Sequence, residues 1–373
     1  MDPAVKIDER PTDDWNALAV ERPGGHVYQG VEWAEHRRRT GWRPLFVSTA
    51  ELRVLVLTRS WPLVGGASAY VPRGPAPVRP GATLGAAVWA ITKAIAAHGV
   101  DVIAADPEVP AGDEAYADWL RRARFRPIEE IQPSRHRIGV PLAGADEEAL
   151  LAAMSKSTRQ RIRNAAGREG VVVVRHDAHR RERAMEGRPD AADEFLEPAE
   201  PAGAALDRFY DLLLETGERR HFTFGPRADF VPWWRAALAA GKLIYLEARD
   251  RSPTGQPLAG LVLYRHGGRL STVHSGDHAA SRETHPGALH LLRWRAIQLA
   301  LTEGCSEMDL GGVDVVGARR EPREGDPTFG LYKHKMSFGG QLIELRGAHE
   351  RVIRPRRYRA GRLISGFARL VSR

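Results

Sequence analysis

A single cysteine in 373 residues leaves no partner for an intramolecular disulfide and excludes a metal site built from a cysteine cluster. That residue, Cys305, lies in an apolar-flanked segment and reads as a small buried hydrophobe. No run approaches the roughly 18 apolar residues that a membrane-spanning helix requires. The stretch Met1–Asp14 is acidic and polar, unlike a secretory leader. A soluble, cytoplasmic protein is therefore expected. No nucleophile-elbow motif is present and Cys305 has no catalytic context, so a serine or cysteine hydrolase has no support.

What the sequence does contain is ordinary globular chemistry, with 43% hydrophobic and 27% charged residues. The length exceeds one ordinary domain of about 100–200 residues, so two domains with sizeable cores are expected. The net charge is +8 and the isoelectric point about 9.8. This favours an acidic partner: nucleic acid, an anionic membrane surface or a phosphorylated substrate. The alternative is an arginine-rich protein with no such partner.

Periodicity predicts a helix over 26–39, stopping near Gly41, and strands at Pro44–Thr49 and Leu52–Thr58. The segment Ala69–Pro75 reads as a strand ended by two prolines. A helix over 81–98 leads through Gly99 into a buried strand at Val100–Ala105, then a helix at Ala115–Ala123 and a strand at Arg137–Val140. One long helix is expected over 146–168, acidic at its start and basic at its end as the helix dipole prefers. A strand at Val171–Val174 follows. Residues 177–204 are charged, rich in Ala, Pro and Glu, without periodicity, and read as a flexible surface insertion. Helices at Leu206–Glu218 and Pro232–Ala240 precede strands at Leu243–Ala248, Leu258–Tyr264 and Leu270–His274. A helix from Pro286 to about Glu303 leads to a strand at Glu307–Leu310. The two halves thus share a rhythm of helix, strand meander, helix and strand.

Near the end, Tyr332-Lys333-His334-Lys335-Met336-Ser337-Phe338 stops at Gly339-Gly340, before the strand-like Gln341–Leu345. As extended chain, Lys333 and Lys335 share one face. They then read either as solubilising lysines of an edge strand or as a lysine aimed at an anion. From Arg351 to Arg373 the chain is arginine-rich, with Leu363, Ile364, Phe367, Leu370 and Val371 at helical spacing. This basic amphipathic helix either lies on an anionic membrane or packs its apolar stripe on the first domain.

Several segments occur together in a recognisable order: Gln29-Gly30-Val31-Glu32-Trp33-Ala34, Val71-Pro72-Arg73-Gly74-Pro75, Asp106-Pro107-Glu108, and Ser157-Thr158-Arg159-Gln160-Arg161-Ile162-Arg163-Asn164. Then come His274-Ser275-Gly276-Asp277 with Arg282 downstream, Asp309-Leu310-Gly311-Gly312, and Lys335-Met336-Ser337-Phe338-Gly339-Gly340. No one piece is specific, but the ordered set spans nearly the whole chain and resembles the FemABX family, the aminoacyltransferases that build peptidoglycan cross-bridges. The resemblance implies an α/β (α+β) fold of tandem GNAT (acetyltransferase-like) domains, each a mixed central sheet flanked by helices. The first, acceptor-binding domain would comprise 1–145 and 347–373, completed by the C-terminal helix, and the second 146–346. It also implies transfer of an amino acid, with glycine, alanine or serine expected, from aminoacyl-tRNA to the stem-peptide amine of a peptidoglycan precursor. That acceptor is either lipid-linked or a UDP-MurNAc-pentapeptide. No metal or other cofactor is implied, because the tRNA ester is already activated. Peripheral contact with the cytoplasmic face of the membrane is compatible with this activity.

The resemblance assigns roles residue by residue. Asp106 is the candidate general base, since a lysine-type amine near pKa 10.4 costs about 4–5 kcal/mol to deprotonate at pH 7; its alternative is a turn cap before Pro107. Lys335 matches a donor-end lysine that stabilises developing negative charge or binds the tRNA backbone. Arg37, beside Trp33, stands where relatives carry a lysine that holds the precursor diphosphate, a role open to Arg38 and Arg39 too. Arg227 matches a second phosphate-binding arginine. His274 stands where some relatives have tyrosine, and His334 replaces a phenylalanine beside the lysine. The basic helix near Lys156–Arg168 is either a tRNA-facing surface or a solvated one. Other readings are an acyl-CoA N-acyltransferase of the same fold, an enzyme modifying a small natural product, and a non-enzymatic nucleic-acid or membrane binder. Against CoA, Arg282-Glu283-Thr284-His285-Pro286-Gly287-Ala288 lacks the spacing of a glycine-rich pyrophosphate loop.

Overall fold

The computed structural model describes residues 5–76, 81–132, 135–178, 195–220, 223–251, 255 and 257–371, with the backbone alone at 82 and 366–371. The chain divides into two compact units, Met1–Arg135 with Glu344–Arg373, and His136–Ile343.

In the first unit β1 (Lys6–Asp8), β2 (Arg43–Ser48), β3 (Arg53–Ser60) and β4 (Ala67–Val71) form an antiparallel meander. Next comes β5 (Val100–Ala105), parallel to β4. A parallel neighbour needs a crossover longer than a hairpin, and the helix Ala82–Ala97 supplies it. The remaining strands are β6 (Arg126–Pro127) and, from the far end of the chain, His349–Val352, β14 in chain order. This last strand lies between β5 and β6 and is antiparallel to both. Val54 and Val56 of β3 and Ile103 of β5 pack against Leu84, Val88, Ile91 and Ile95 of the crossover helix. Fully burying such side chains stabilises by about 1.5–3 kcal/mol each.

The second unit repeats the plan with β7 (His136–Pro141), β8 (Val171–His176), β9 (Leu243–Asp250), β10 (Pro257–His266), β11 (Arg269–Asp277), β12 (Glu307–Gly312) and β13 (Gln341–Glu344). Their order in the sheet is β13-β7-β12-β11-β10-β9-β8. Again the meander is antiparallel and one pair, β11 and β12, is parallel. The helix Ala288–Thr302 makes that crossover, and Leu291, Leu292, Ile297 and Ala300 seat it on the sheet. The strand expected over Arg137–Val140 is β7, and it pairs with β12, so it belongs to this unit and not to the first.

Local corrections have identifiable causes. The helix expected over 146–168 is two helices, Glu147–Ala153 and Lys156–Ala166. Met154 and Ser155 are extended between them, and Ser155 Oγ accepts from the Thr158 amide at 3.2 Å, so a new N-cap begins mid-pattern. Pro232 lies inside the helix Arg227–Ala239 instead of opening it, because Pro226 occupies the N-cap. Tyr332–Gly340 is not extended: Phe329–Met336 is a helix, which turns Lys333 and Lys335 about 200° apart. Lys333 is exposed and Lys335 buried. Arg351 and Val352 belong to β14, and the terminal helix starts at Pro355. Leu363 on that helix is 74% exposed, while the side chains of Phe367, Leu370 and Val371 lie outside the described residues. The insertion expected near 177–204 lies largely outside the described residues. At its described edges Asp177 is buried against Arg175 and Arg265, and the helix Ala202–Arg220 has begun.

Candidate active site

Alternation along β4 turns Ala69 and Val71 into the core and Tyr70 to the opposite face. There Tyr70 lines a cavity of about 810 Å³ within the first unit, together with Trp33, Arg37, Trp61, Arg126 and Tyr358. Trp33 and Arg37 are one turn apart on the helix Val31–Arg39, and the Arg37 guanidinium lies 5.4 Å from the Trp33 ring centre and 5.3 Å from that of Trp42. Arg38 and Arg39 are exposed, Arg38 paired with Glu35. The structure therefore puts Arg37, of the three arginines, on the cavity wall. Arg126 donates to Glu350 from Nε at 2.9 Å and Nη2 at 2.5 Å, and the Tyr358 hydroxyl donates to the same carboxylate at 3.1 Å.

Asp106, at the end of β5, is fully buried and stands behind this wall. Its Oδ2 accepts from the Tyr70 hydroxyl at 2.9 Å and its Oδ1 from the Arg73 amide at 2.7 Å. The carboxylate thus grips the Val71–Pro75 segment, where Arg73 is held at φ 49°, in the left-handed region. Burial raises the Asp106 carboxyl to about 6, against the lowering effect of Arg73 and the two hydrogen bonds. Burial likewise pushes the Tyr70 hydroxyl well up, so Tyr70 stays protonated and donates to Asp106. Gln29, the first residue of its motif, is a clamp: it donates to Pro72 O at 2.6 Å and accepts from the Leu55 amide at 2.8 Å. Gln29→Ala is expected to destabilise the protein by about 2–4 kcal/mol, because two buried backbone groups lose their partners. A lowered urea midpoint at unchanged slope would show it.

In the second unit the parallel pairing of β11 and β12 ends at Ser271 and Asp309. β11 then carries a bulge, since Val262 opposes His274 but Leu263 opposes Thr272. Where the two strands part, Lys335 arrives from the helix Phe329–Met336. It is 5% exposed, and its Nζ donates to Gly312 O at 2.8 Å. Gly311 makes room: at φ 84°, a Cβ there would stand 2.6 Å from Thr272 O and 3.3 Å from Lys335 Nζ. Burial lowers the Lys335 amine to about 7; Arg293 lowers it further, while Asp309 and Asp314 oppose the shift.

His334 accepts at Nε2 from Arg293 Nε at 3.1 Å, an arrangement that places its own proton on Nδ1. Burial and the neighbouring Arg293 hold it neutral. His274 sits on the bulge inside an aromatic cluster, with ring centres 5.1 Å from Phe224, 5.6 Å from Trp234 and 5.8 Å from Phe230; burial lowers it to about 4. Arg227 is occupied elsewhere. It donates to Asp207 at 3.1 Å, pairs with Asp211 and lies 4.5 Å from the Tyr210 ring centre, so two carboxylates already answer its charge. The structure thus gathers Trp33 and Arg37, with Asp106 one residue behind, in the first unit. In the second it gathers Lys335 and His334, and Arg227 belongs to neither set of contacts.

Two participants escaped the sequence reading. Tyr70 was available from the period-two alternation of β4. Arg293 was available as a charge inside the apolar run Leu291-Leu292-Arg293-Trp294. A third observation concerns the start of the crossover helix Ala288–Thr302. Its capping residue Gly287 donates its amide to Glu169 Oε2 at 3.1 Å, and a Cβ there would stand 2.5 Å from Arg161 O. The protein's own carboxylate fills the place where such a helix start would receive an anion.

Residues 153–326 match the family model of the acetyltransferase (GNAT) domain. No curated protein matches the chain by sequence. Among solved structures, FemX aligns with a TM-score of 0.74 at 17% identity, covering 95% of this chain and 99% of FemX. L-PGS from Bacillus licheniformis gives 0.45 at 12% identity over 87% of this chain and 89% of its own. A tandem GNAT protein from the clavulanic acid biosynthesis pathway gives 0.43 at 12% identity over 93% and 98%. With two mixed sheets of the same plan in one polypeptide, the chain has a FemX-like tandem GNAT fold.

Proposed function

We propose that this protein is an aminoacyltransferase that moves an amino acid from aminoacyl-tRNA to the stem-peptide amine of a peptidoglycan precursor, in the cytoplasm. Glycine, alanine or serine is the proposed cargo, and a UDP-MurNAc-pentapeptide or its lipid-linked form the acceptor. The observation that carries this over an acyl-CoA reading is Glu169 on the Gly287 amide. A pyrophosphate placed there would meet a carboxylate instead of free backbone donors.

The first unit's cavity takes the precursor, with Arg37 on its phosphates and aromatic walls at Trp33 and Trp61. The acceptor amine attacks the ester carbonyl; a C–N bond forms and the ester C–O bond breaks. The amine's proton passes to the Tyr70 oxygen while Tyr70 gives its own to Asp106. The ribose hydroxyl released from the tRNA gains a proton, so none is consumed overall. Lys335, when charged, binds the RNA backbone of the donor. Exposed Lys156, Arg161 and Arg163 on the helix Lys156–Ala166 meet the RNA backbone, a contact that weakens with salt.

The test is incubation of the full chain with charged tRNAs and each acceptor form, with the product read by mass. The expected result is a gain of one aminoacyl residue. No gain with any donor, together with acetylation from acetyl-CoA, overturns the reading.

A further inference from the structure

Arg293 is 2% exposed and makes two hydrogen bonds, both to neutral groups: His334 Nε2 at 3.1 Å and Ser275 Oγ at 3.2 Å. Its Nη1 is buried and has no hydrogen-bond partner. Lys335 beside it donates only to a backbone carbonyl. Among the described residues no carboxylate forms an ion pair with either cation. The acids whose fields reach them are engaged by other donors. Asp277 is held by Arg219 at 2.5 Å and Arg282 at 2.6 Å. Asp309 accepts from the Gly311 amide at 2.7 Å and lies 3.5 Å from Arg137, and Asp314 accepts from the His136 amide at 2.8 Å. Taking an ion out of water costs several kcal/mol, and a folded protein normally repays this with a partner charge. Two neighbouring buried cations without one are the complement of an anion that the chain itself does not supply.

We propose that the parting of β11 and β12 is an oxyanion seat in which Arg293 and Lys335 together hold two oxygens of a carboxylate or a phosphate. The planar fork of arginine suits either group, and the open Nη1 is the donor left for it. The seat deepens the proposed function, since it adds Arg293 to the donor end of the site, and it rests on that reading only for the identity of the natural occupant. Glycine, alanine or serine held as an ester has no free carboxylate, so under that reading the natural occupant is a phosphate of the RNA that carries it.

The test uses the full chain without tRNA or precursor, so failure of the transfer assay and failure of this inference are separable. Thermal unfolding is followed with sulfate or acetate at constant ionic strength, in the wild type, Arg293→Gln and Arg293→Lys. Sulfate stands in for phosphate because it does not titrate near neutrality. A rise in Tm in the wild type, with apparent affinity on the order of tenfold or more weaker in Arg293→Gln and restored in Arg293→Lys, supports the seat. A response to sulfate alone assigns it to phosphate, and one to acetate alone to carboxylate. The wild-type response should decline as pH rises through about 7, where Lys335 loses its proton. The charged and titratable groups facing Lys335 are Arg293, His334, Asp309 and Asp314. Without anion, Arg293→Gln should melt no lower than the wild type, since it removes an unanswered buried charge. A lower Tm combined with an unchanged anion response would make Arg293 a structural residue and overturn the proposal.

Discussion

Lys335→Met is expected to lower turnover at limiting aminoacyl-tRNA on the order of tenfold to a hundredfold, the usual effect of removing one charge-assisted contact, here to the RNA backbone of the donor. Binding of the precursor should stay within about twofold of wild type, because the cavity assigned to it is lined by first-unit residues alone. Misfolding is not the expected explanation of the loss. The variant removes a buried charge whose only hydrogen bond is to Gly312 O. A pH experiment separates the effects. The folded-state amine titrates at about 7 against an ordinary 10.5, so the unfolded chain holds more protons between those values. Lys335 therefore makes the wild type more stable as pH rises from about 7 to 10.5, and the methionine variant should lack that rise. Denaturation at the two ends of the window measures it. Normal turnover by the variant at limiting aminoacyl-tRNA would leave Lys335 without a role in binding the donor.

Asp106→Asn is expected to lower kcat/KM on the order of a hundredfold to ten-thousandfold. The amide keeps the bond to the Arg73 backbone through its oxygen, but it then presents NH₂ to Tyr70 and cannot receive a proton. Tyr70→Phe should produce a loss of the same order, since the two groups form one relay. An active Tyr70→Phe beside an inactive Asp106→Asn would refute the relay. In the wild type the rate should rise as pH passes through about 6, where Asp106 ionises, and this acid limb should vanish in the asparagine variant. Stability moves the opposite way. The folded state holds the Asp106 proton between 3.8 and about 6 where the unfolded state does not, so this group's contribution to stability falls as pH rises through that interval. The asparagine variant should be at least as stable as the wild type at pH 7.

Much of the architecture was legible because burial imposes clear periods on the chain. β5 is apolar but for Asp101, β4 alternates about Tyr70, and the crossover helix Ala288–Thr302 is long enough for its 3.6-residue period to show. Shorter elements were not. The helix Phe329–Met336 has barely two turns, and lysine–histidine–lysine alternation fits a strand equally well. The break at Met154–Ser155 hides within one amphipathic pattern because Ser155, a good N-cap, is also tolerated in a helix. The position of β7 was out of reach, since its pairing partner β12 lies far along the chain. At the site, residue type indicated the chemistry but not its state. That Asp106 is walled off by Tyr70, that Arg227 is spent on Asp207 and Asp211, and that His274 sits among aromatic rings are facts of packing.

The placement of β14 has a consequence for how the protein comes into being on the ribosome. His349–Val352 lies within the first sheet, between β5 and β6, and its neighbour Arg354 donates to Val100 O at 2.8 Å while Arg357 pairs with Asp101 at 2.9 Å. Every pairing partner of β14 is made more than two hundred residues earlier. The first unit cannot close its sheet until almost all of the chain has emerged, whereas the strands of the second are contiguous apart from its insertions. Synthesis therefore exposes β5 as an unpaired, apolar edge until the last strand arrives. The second unit, folding in the interval, shortens the loop that must close and so lowers the entropy lost when β14 docks. The N-terminal unit is the first made and the last finished.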